Sequence, residues 1–149
     1  MHKILFVCHG NICRSPMAEF ILKDLVQKAG LVSNFEIASA ATSTEEIGNP
    51  VYPPARQKLA EHNISCVGKT ARQLTRADYD YYDLLIGMDQ ANLHNIHRIC
   101  GPDFFGKTHL LMEYANSTRQ VADPWYTGDF EQTWQDILEG CQGLLSKLF

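Results

Sequence analysis

A cysteine and an arginine with five residues between them stand near the N-terminus, in the segment Cys8-His9-Gly10-Asn11-Ile12-Cys13-Arg14-Ser15. A cysteine thiolate is a strong nucleophile, and positive surroundings stabilise it. The planar guanidinium of Arg14 can hold two oxygens of one phosphate group, a geometry that lysine cannot copy. Ser15 can donate a hydrogen bond to the sulfur. The spacing therefore predicts a nucleophile, Cys8, facing a bound phosphate; an inert buried cysteine at a strand end is the competing interpretation.

The elements on either side of this segment favour an anion-binding loop. Residues 4–7 form a short apolar run rich in strand formers, and Ser15-Pro16 is typical of a helix N-cap with proline at the first helical position. In α/β sheets, ligands bind at this carboxyl end of a strand. Loop amides and the helix dipole would cradle inorganic phosphate or a similar oxyanion. Gly10 and Asn11 tolerate the left-handed backbone angles that such a loop needs.

A carboxyl group that can act together with Cys8 occurs late in the chain, in Asp123-Pro124-Trp125-Tyr126. A phenolate leaving group has a conjugate pKa of about 10, so it needs a proton as its bond to phosphorus breaks. Asp123 would supply that proton, Pro124 would stiffen the loop, and the two aromatic rings would stack on a flat substrate. An Asp-Pro pair alone usually starts a turn. The assignment therefore depends on the cysteine motif.

Predicted strands and helices alternate along the rest of the chain, which favours a parallel sheet with right-handed crossovers. The residues from Thr42 to Pro54 are rich in glycine and proline and are predicted to be mainly loop. The other predicted elements are a helix from Ser15-Pro16 to Gly30, a strand from Phe35 to Ala41, a helix from Pro54 to His62, a short helix with the capping box Thr75-x-x-Asp78, a strand from Asp83 to Met88, a helix from Asp89 to Ile99, a strand from His109 to Met112 and an amphipathic helix from Asp129 to Leu148.

The composition limits the partners and the compartment. The chain has 149 residues, 45% hydrophobic and 20% charged, with a formal net charge of −4, so no nucleic acid or anionic membrane partner is expected. The N-terminal apolar run is too short for a signal peptide or a membrane span. The five cysteines are odd in number and irregularly spaced, which argues against a disulfide framework and for a reducing compartment. A cytoplasmic protein is therefore predicted.

The two motifs together resemble those of the low-molecular-weight protein tyrosine phosphatases, over essentially the whole chain. Further matches lie at Ser39-Ala40-Ala41-Thr42-Ser43, Glu46-Ile47-Gly48-Asn49-Pro50, Ala71-Arg72-Gln73-Leu74 and Met88-Asp89. The resemblance implies one α/β domain, residues 1–149, with a four-stranded parallel sheet flanked by helices on both faces and a phosphate-binding loop after the first strand. It implies hydrolysis of phosphotyrosine in proteins, and of aryl phosphates, through a cysteinyl-phosphate intermediate. No metal or cofactor is expected.

The resemblance also implies a role for each residue of the site. Cys8 would be the nucleophile, Arg14 the phosphate clamp, and Asp123 the general acid and then the general base. The residues expected to bind phosphate or substrate are His9, Gly10, Asn11, Ile12, Cys13, Ser15, Trp125 and Tyr126. Asn11, helped by Ser39, would hold the loop in shape. In the family, the residue that matches Cys13 can form a reversible disulfide with the nucleophile; packing under the loop is the other interpretation.

Three residues depart from the family pattern. His9 follows the nucleophile, where other members often carry an apolar or small residue, and it would line the pocket mouth or face solvent. Glu45 stands where some members have an aromatic wall, which predicts a more acidic rim. Lys69 replaces a histidine that supports the loop in many members, so the supporting hydrogen bonds are expected to differ.

Three other functions are possible for this pattern. An arsenate reductase on the same fold needs further cysteines near the site, but Cys66 and Cys100 have no closely spaced partner. A protein-arginine phosphatase tends to have threonine in place of Ile12, whose apolar side chain suits an aromatic substrate better. A non-catalytic phosphate-binding module would lack the nucleophile, the arginine or the acid, all of which are present.

Overall fold

Four parallel strands form the central sheet in the order β2-β1-β3-β4. They are β1 (His2–Cys8), β2 (Phe35–Ala41), β3 (Leu84–Gly87) and β4 (Thr108–Leu110). In the computed structural model, which describes residues 1–149, β1 is an inner strand, paired with β2 on one side and with β3 on the other. The predicted four-stranded parallel sheet is confirmed.

Helices cover both faces of the sheet. They are α1 (Arg14–Lys28), α2 (Pro53–Glu61), α3 (Arg76–Tyr81), α4 (Gln90–Cys100), the short α5 (Pro124–Thr127) and α6 (Phe130–Leu148). Successive side chains of a strand point to opposite faces. Accordingly, Ile4 and Phe6 join a core with α1 and α6, while Leu5 and Val7 join a second core with α3 and α4. Burial on both faces explains why β1 is a continuous apolar run, and the predicted helix layers are confirmed.

The predicted start of the first helix is wrong by two residues. α1 begins at Arg14, and Pro16 is its third residue rather than its first. Ser15 does not cap the helix, because its hydroxyl contacts the side chains of Cys8 and Asn11 instead. Pro16 fits there because the first N–H groups of a helix have no intrahelical acceptor, so the missing donor costs nothing.

The predicted strand from His109 to Met112 is also placed wrongly. β4 ends at Leu110, and a 3-10 helix over Leu111–Ala115 follows it. The Glu113 carboxylate accepts a hydrogen bond from Leu110 N at 2.8 Å, which turns the chain at this point. The apolar side chains of Leu111 and Met112 are still buried, but they reach the core from a helical turn. An apolar run alone does not distinguish the two conformations.

The other capped helices lie where the sequence predicts them. Asp89 caps α4 by accepting from Asn92 N, and Asp129 caps α6 by accepting from Gln132 N. The Thr75 and Asp78 capping box opens α3. The apolar stripe of α6 packs against α1 and the 3-10 helix. None of the helices combines the length and the hydrophobicity that a membrane crossing requires.

Candidate active site

The loop between β1 and α1 turns its carbonyls outward and leaves its amides free. The carbonyl oxygens of His9 and Ile12 accept from Ser43 N at 3.0 Å and Tyr52 N at 2.9 Å. The N–H groups of Gly10, Ile12 and Cys13 donate to no protein acceptor. Free amides that ring one point form an anion cradle. This loop therefore has unpaired amide donors of the kind that an oxyanion site requires.

The Cys8 sulfur lies at the head of this cradle. Asn11 N donates to Cys8 Sγ at 3.3 Å, which the left-handed φ of 57° at Asn11 makes possible. Ser15 Oγ lies 3.0 Å from the same sulfur. The Cys8 thiol donates to Ser15 Oγ, which also accepts from Asn11 Nδ2 at 2.7 Å. The sulfur thus has two hydrogen-bonding partners, Asn11 N and Ser15 Oγ.

The side chains of Asn11 and Ser15 lie behind the loop and do not line the pocket. Asn11 is 1% exposed, and its Nδ2 also donates to Ser39 Oγ at 2.9 Å. Its Oδ1 accepts from Arg72 N at 3.2 Å. These contacts join the loop to β2 and to the segment after Thr70. The positions of these side chains fit the expected supporting roles, Asn11 in holding the loop and Ser15 beside the sulfur, while a part for their backbone amides in binding phosphate stays a prediction.

A buried charged pair extends this network on the far side of Ser39. Ser39 Oγ donates to Glu19 Oε1 at 2.6 Å, and Lys69 Nζ donates to Ser39 O at 2.9 Å. Lys69 Nζ lies 3.6 Å from Glu19 Oε1. Burial lowers the pKa of Lys69, and the Glu19 charge opposes that shift. Glu19 was not among the predicted site residues; a glutamate among the buried residues of α1 was the available signal.

Two groups that lie far from Arg14 in the sequence bind its guanidinium and fix its position. Arg14 is 2% exposed, and its Nη1 donates to Asp89 Oδ2 at 2.7 Å and to Val121 O at 2.9 Å. Burial would lower the pKa of Arg14, but Cys8, Asp89 and Asp123 outweigh it and raise that pKa. Asp89 was predicted only as a helix cap. The Asp89 carboxylate has two roles: its Oδ1 caps α4, and its Oδ2 accepts from the Arg14 guanidinium.

Asp123 lies across the same pocket from Cys8. Its Oδ1 accepts from Trp125 N at 3.0 Å, so it caps α5, and its Oδ2 lies 3.5 Å from Arg14 Nη2. The pocket is lined by Cys8, His9, Gly10, Ile12, Cys13, Arg14, Glu45, Glu46, Asp123, Trp125 and Tyr126. The Asp123 carboxyl group, which is distant in sequence, therefore faces the same cavity as the Cys8 thiol and the Arg14 guanidinium.

Aromatic rings form one wall of the pocket. Tyr126 is 84% exposed, and Trp125 packs its ring 4.8 Å from that of Tyr52, at an angle of 54°. Tyr52 also stacks against Phe130 with ring centroids 6.2 Å apart. Since Tyr52 N bonds to Ile12 O, this residue links the anion loop to α5. Tyr52 was not among the predicted site residues.

Cys13 lies in the same pocket in a different environment. It is buried, and burial, followed by the neighbouring Cys8, raises the pKa of its thiol to about 12. All five cysteines are free thiols. Cys66 and Cys100 are buried and line no part of this pocket.

A cysteine at the head of an amide-lined loop, between an inner parallel strand and a helix, defines the class of α/β proteins that bind oxyanions at a strand end. The family model for the low molecular weight phosphotyrosine protein phosphatases matches residues 3–149. The chain therefore belongs to the low molecular weight phosphotyrosine protein phosphatase family. No group of three or more His, Cys, Asp or Glu side chains is arranged to hold a metal ion.

Relatives and solved structures agree with this assignment. The low molecular weight protein-tyrosine-phosphatase YfkJ of Bacillus subtilis is 40% identical over 99% of this chain and 96% of its own length. The YfkJ crystal structure superimposes with a TM-score of 0.96, covering 99% of this chain and 94% of that one, at 39% identity. The Streptococcus pyogenes phosphatase SP-PTP gives a TM-score of 0.89 at 40% identity, covering 100% and 94%. At lower identity, 29%, the Drosophila arginine phosphatase DARP also gives 0.89, covering 98% and 97%.

Proposed function

We propose that this protein hydrolyses phosphotyrosine in proteins, and aryl phosphates, through a covalent phosphate ester on Cys8. One observation carries the proposal: the Cys8 sulfur, free loop amides, Arg14 and the Asp123 carboxyl group share one pocket. The names of the most similar relatives support the same reaction, since YfkJ and SP-PTP are called tyrosine phosphatases.

In the first step the loop amides and Arg14 bind the non-bridging phosphate oxygens. The Cys8 thiolate attacks phosphorus in line, and the bond to the phenolic oxygen breaks while Asp123 donates its proton to that oxygen. The amides and the guanidinium stabilise the charge of the transition state. Asp89 and the Val121 carbonyl hold the guanidinium in place before substrate arrives.

In the second step the Asp123 carboxylate takes a proton from water. That water attacks phosphorus, and the bond from phosphorus to sulfur breaks, so inorganic phosphate leaves and the thiolate returns. The hydrogen bond from Trp125 N keeps Asp123 at the pocket wall during both steps. Inorganic phosphate, which resembles the bound group, is expected to compete with substrate in the loop.

Two other reactions on this fold are less well supported. Arsenate reduction by a cysteine relay requires further reactive thiols on a mobile segment near the site. Cys13 is buried with a raised pKa, and Cys66 and Cys100 are buried outside the pocket. Protein-arginine phosphatases tend to have threonine where this chain has Ile12, and the apolar Ile12 lies in the pocket lining together with Trp125 and Tyr126. Both remain outcomes of the experiment below.

The experiment compares wild type with Cys8→Ser, Asp123→Ala and Cys100→Ser on a phosphotyrosine peptide. Cys8→Ser should abolish turnover, and Asp123→Ala should slow it by ~10²–10⁴, the usual contribution of a general acid. Cys100→Ser is the matched control, since Cys100 Sγ only contacts Thr75 O, at 3.6 Å, outside the pocket. Mass spectrometry of Asp123→Ala after rapid quenching should detect phosphate on Cys8.

Wild-type turnover by Cys8→Ser would disprove the nucleophile assignment. Faster release of phosphate from a phosphoarginine peptide than from the phosphotyrosine peptide would replace the proposed substrate. Arsenate reduction coupled to a thioredoxin system would replace the reaction itself.

We also infer that the protein works in the cytosol. All five cysteines are free thiols, and a reducing compartment keeps thiols in that state. Fractionation of the producing cells should recover the protein with the cytosolic markers. Recovery mainly outside the cells would contradict the inference.

A further inference from the structure

Two carboxylates stand at the mouth of the pocket, above its positive floor. Glu45 and Glu46 lie on the loop between β2 and α2, and both line the cavity that holds Cys8. The Glu45 side chain is 68% exposed. Arg14 is the only lysine or arginine in the lining, and it is buried at the floor. A ligand thus meets negative charge at the entrance and positive charge below.

Local contacts hold both carboxylates at this entrance. His9 Nε2 lies 3.0 Å from Glu45 Oε2, which ties Glu45 to the residue after the nucleophile. The Glu46 carboxylate accepts from Asn49 Nδ2 at 2.6 Å. Glu46 also packs against the anion loop, since a Cβ built on Gly10 would lie 3.5 Å from its Cγ. The two charges therefore have defined places over the loop.

This arrangement affects the residues on either side of a phosphotyrosine. The phosphate enters the pocket, whereas the neighbouring side chains of the substrate stay at the mouth, next to Glu45 and Glu46. Lysine or arginine there gains a favourable contact, and aspartate or glutamate is repelled. Exposed pairs are weak, so each is expected to change kcat/KM by about two- to fivefold, mainly through faster association.

We propose that Glu45 and Glu46 make the enzyme selective for phosphotyrosine that is flanked by lysine or arginine. The proposal rests on the phosphotyrosine hydrolysis proposed above. His9 acts as a positioning residue, because its ring holds the Glu45 carboxylate at the entrance.

The test uses three phosphotyrosine peptides that differ only in the residues on either side of phosphotyrosine: arginine, alanine or glutamate. Wild type should rank them arginine, alanine, glutamate in kcat/KM, with about tenfold between the extremes for two pairs. The ranking should weaken in about 1 M salt, where the Debye length is about 3 Å.

Variants of the rim separate this selectivity from general effects. Glu45→Gln and Glu46→Gln should each reduce the arginine-to-glutamate ratio, and the double variant should bring it near one. Glu45→Lys should favour the glutamate peptide. Glu139→Gln, an exposed carboxylate on α6 outside the pocket lining, is the matched control and should keep the wild-type ratio.

Equal kcat/KM for the three peptides with wild type at low salt would overturn the inference while leaving phosphotyrosine hydrolysis intact. A ratio that Glu45→Lys leaves unchanged would also overturn it. Failure of the proposed function has a different signature, since wild type would then release phosphate from none of the three peptides, and the inference would fall with it.

Discussion

Two thiols in one loop have opposite surroundings. Cys8 receives a hydrogen bond from Asn11 N and has Ser15 Oγ beside it. Cys13 is buried without such donors, and burial raises the pKa of its thiol to about 12. Reactivity of a cysteine follows its thiolate fraction. We therefore expect Cys13 to be the less reactive of the two cysteines.

We predict that alkylation will distinguish these two cysteines. Iodoacetamide at about pH 7, where a thiol with a pKa of about 12 is fully protonated, should label Cys8 first and leave Cys13 unmodified. Inorganic phosphate should protect Cys8. Peptide mass spectrometry measures both sites, with buried Cys141 as an internal control; labelling of Cys13 ahead of Cys8 would contradict the assignment.

Asp103 organises the turn between α4 and β4 through its charge. Its carboxylate accepts from Tyr79 Oη at 2.6 Å, Lys107 N at 2.8 Å and Thr108 Oγ1 at 2.8 Å. Burial alone would raise its pKa, but these hydrogen bonds hold the pKa of Asp103 well below its usual range. A lowered carboxyl pKa means that the ionised form stabilises the fold.

We therefore expect Asp103→Asn to lower the free energy of unfolding by about 1 kcal/mol near pH 7. The difference from wild type should be full above the unfolded-state pKa of about 4 and shrink as the pH falls toward the folded-state value. Urea unfolding at about pH 7 and about pH 3 measures the loss of stability and its decrease on acidification. Asp80→Asn, at an exposed position, is the control. A difference that grows on acidification would contradict the prediction.

Among the helices, α5 is too short to be held in place by its own backbone hydrogen bonds alone. It spans Pro124–Thr127 and contains less than two turns. The contact between Trp125 and Tyr52 joins it to the loop that carries Cys8. The position of the Asp123 carboxyl group therefore depends on an aromatic side chain from the segment before α2.

We predict that Tyr52→Ala will lower kcat by roughly tenfold or more, since a shift of about 1 Å in a catalytic group can cost 10²-fold. The loss should be larger for phenyl phosphate than for a nitrophenyl phosphate, whose leaving group needs less help from a general acid. Tyr52→Phe keeps the ring and should behave like wild type. An equal loss on both substrates would indicate a general structural effect instead.

On the scale of the whole molecule, α6 packs closely against the 3-10 helix on one face of the sheet. Gly140 and Gly143 face the 3-10 helix at Leu111–Ala115, and a Cβ on Gly140 would lie 2.6 Å from Leu111 Cγ. A Cβ on Gly143 would lie 2.7 Å from the carbonyl carbon of Tyr114 and closer still to its oxygen. Backbone cannot move away as a side chain can, so Gly143 sets the distance between these elements.

We expect Gly143→Ala to lower the free energy of unfolding by about 1–3 kcal/mol through overpacking. Helix propensity predicts the opposite sign, a gain of about 1 kcal/mol for alanine over glycine. Ser146→Ala, on an exposed position of the same helix, should be neutral or slightly stabilising. Chemical denaturation of wild type and the two variants measures the free energy of unfolding. If Gly143→Ala is more stable than wild type, the close approach of Gly143 to the Tyr114 carbonyl group is disproved.

The features that could be predicted from the amino-acid sequence depend on residues close together in the chain. The anion loop, the strand before it and the caps at Asp89 and Asp129 are local, because backbone hydrogen bonds and caps join residues a few positions apart. The sheet followed from the alternation of strands and helices. Cys8 and Arg14 were identifiable because both belong to one short segment.

The distant groups that support this segment became identifiable only from the folded chain. Asp89 and the Val121 carbonyl reach Arg14 from 75 and 107 residues away. Glu19 and Tyr52 likewise act through packing between helices and loops, whose relative placement no local pattern specifies. The start of α1 was mispredicted for the same reason, since the Ser15 hydroxyl bonds across the loop to Cys8 and Asn11. A residue's intrinsic preference for helix, strand or cap is overridden wherever a contact between distant segments stabilises a different conformation.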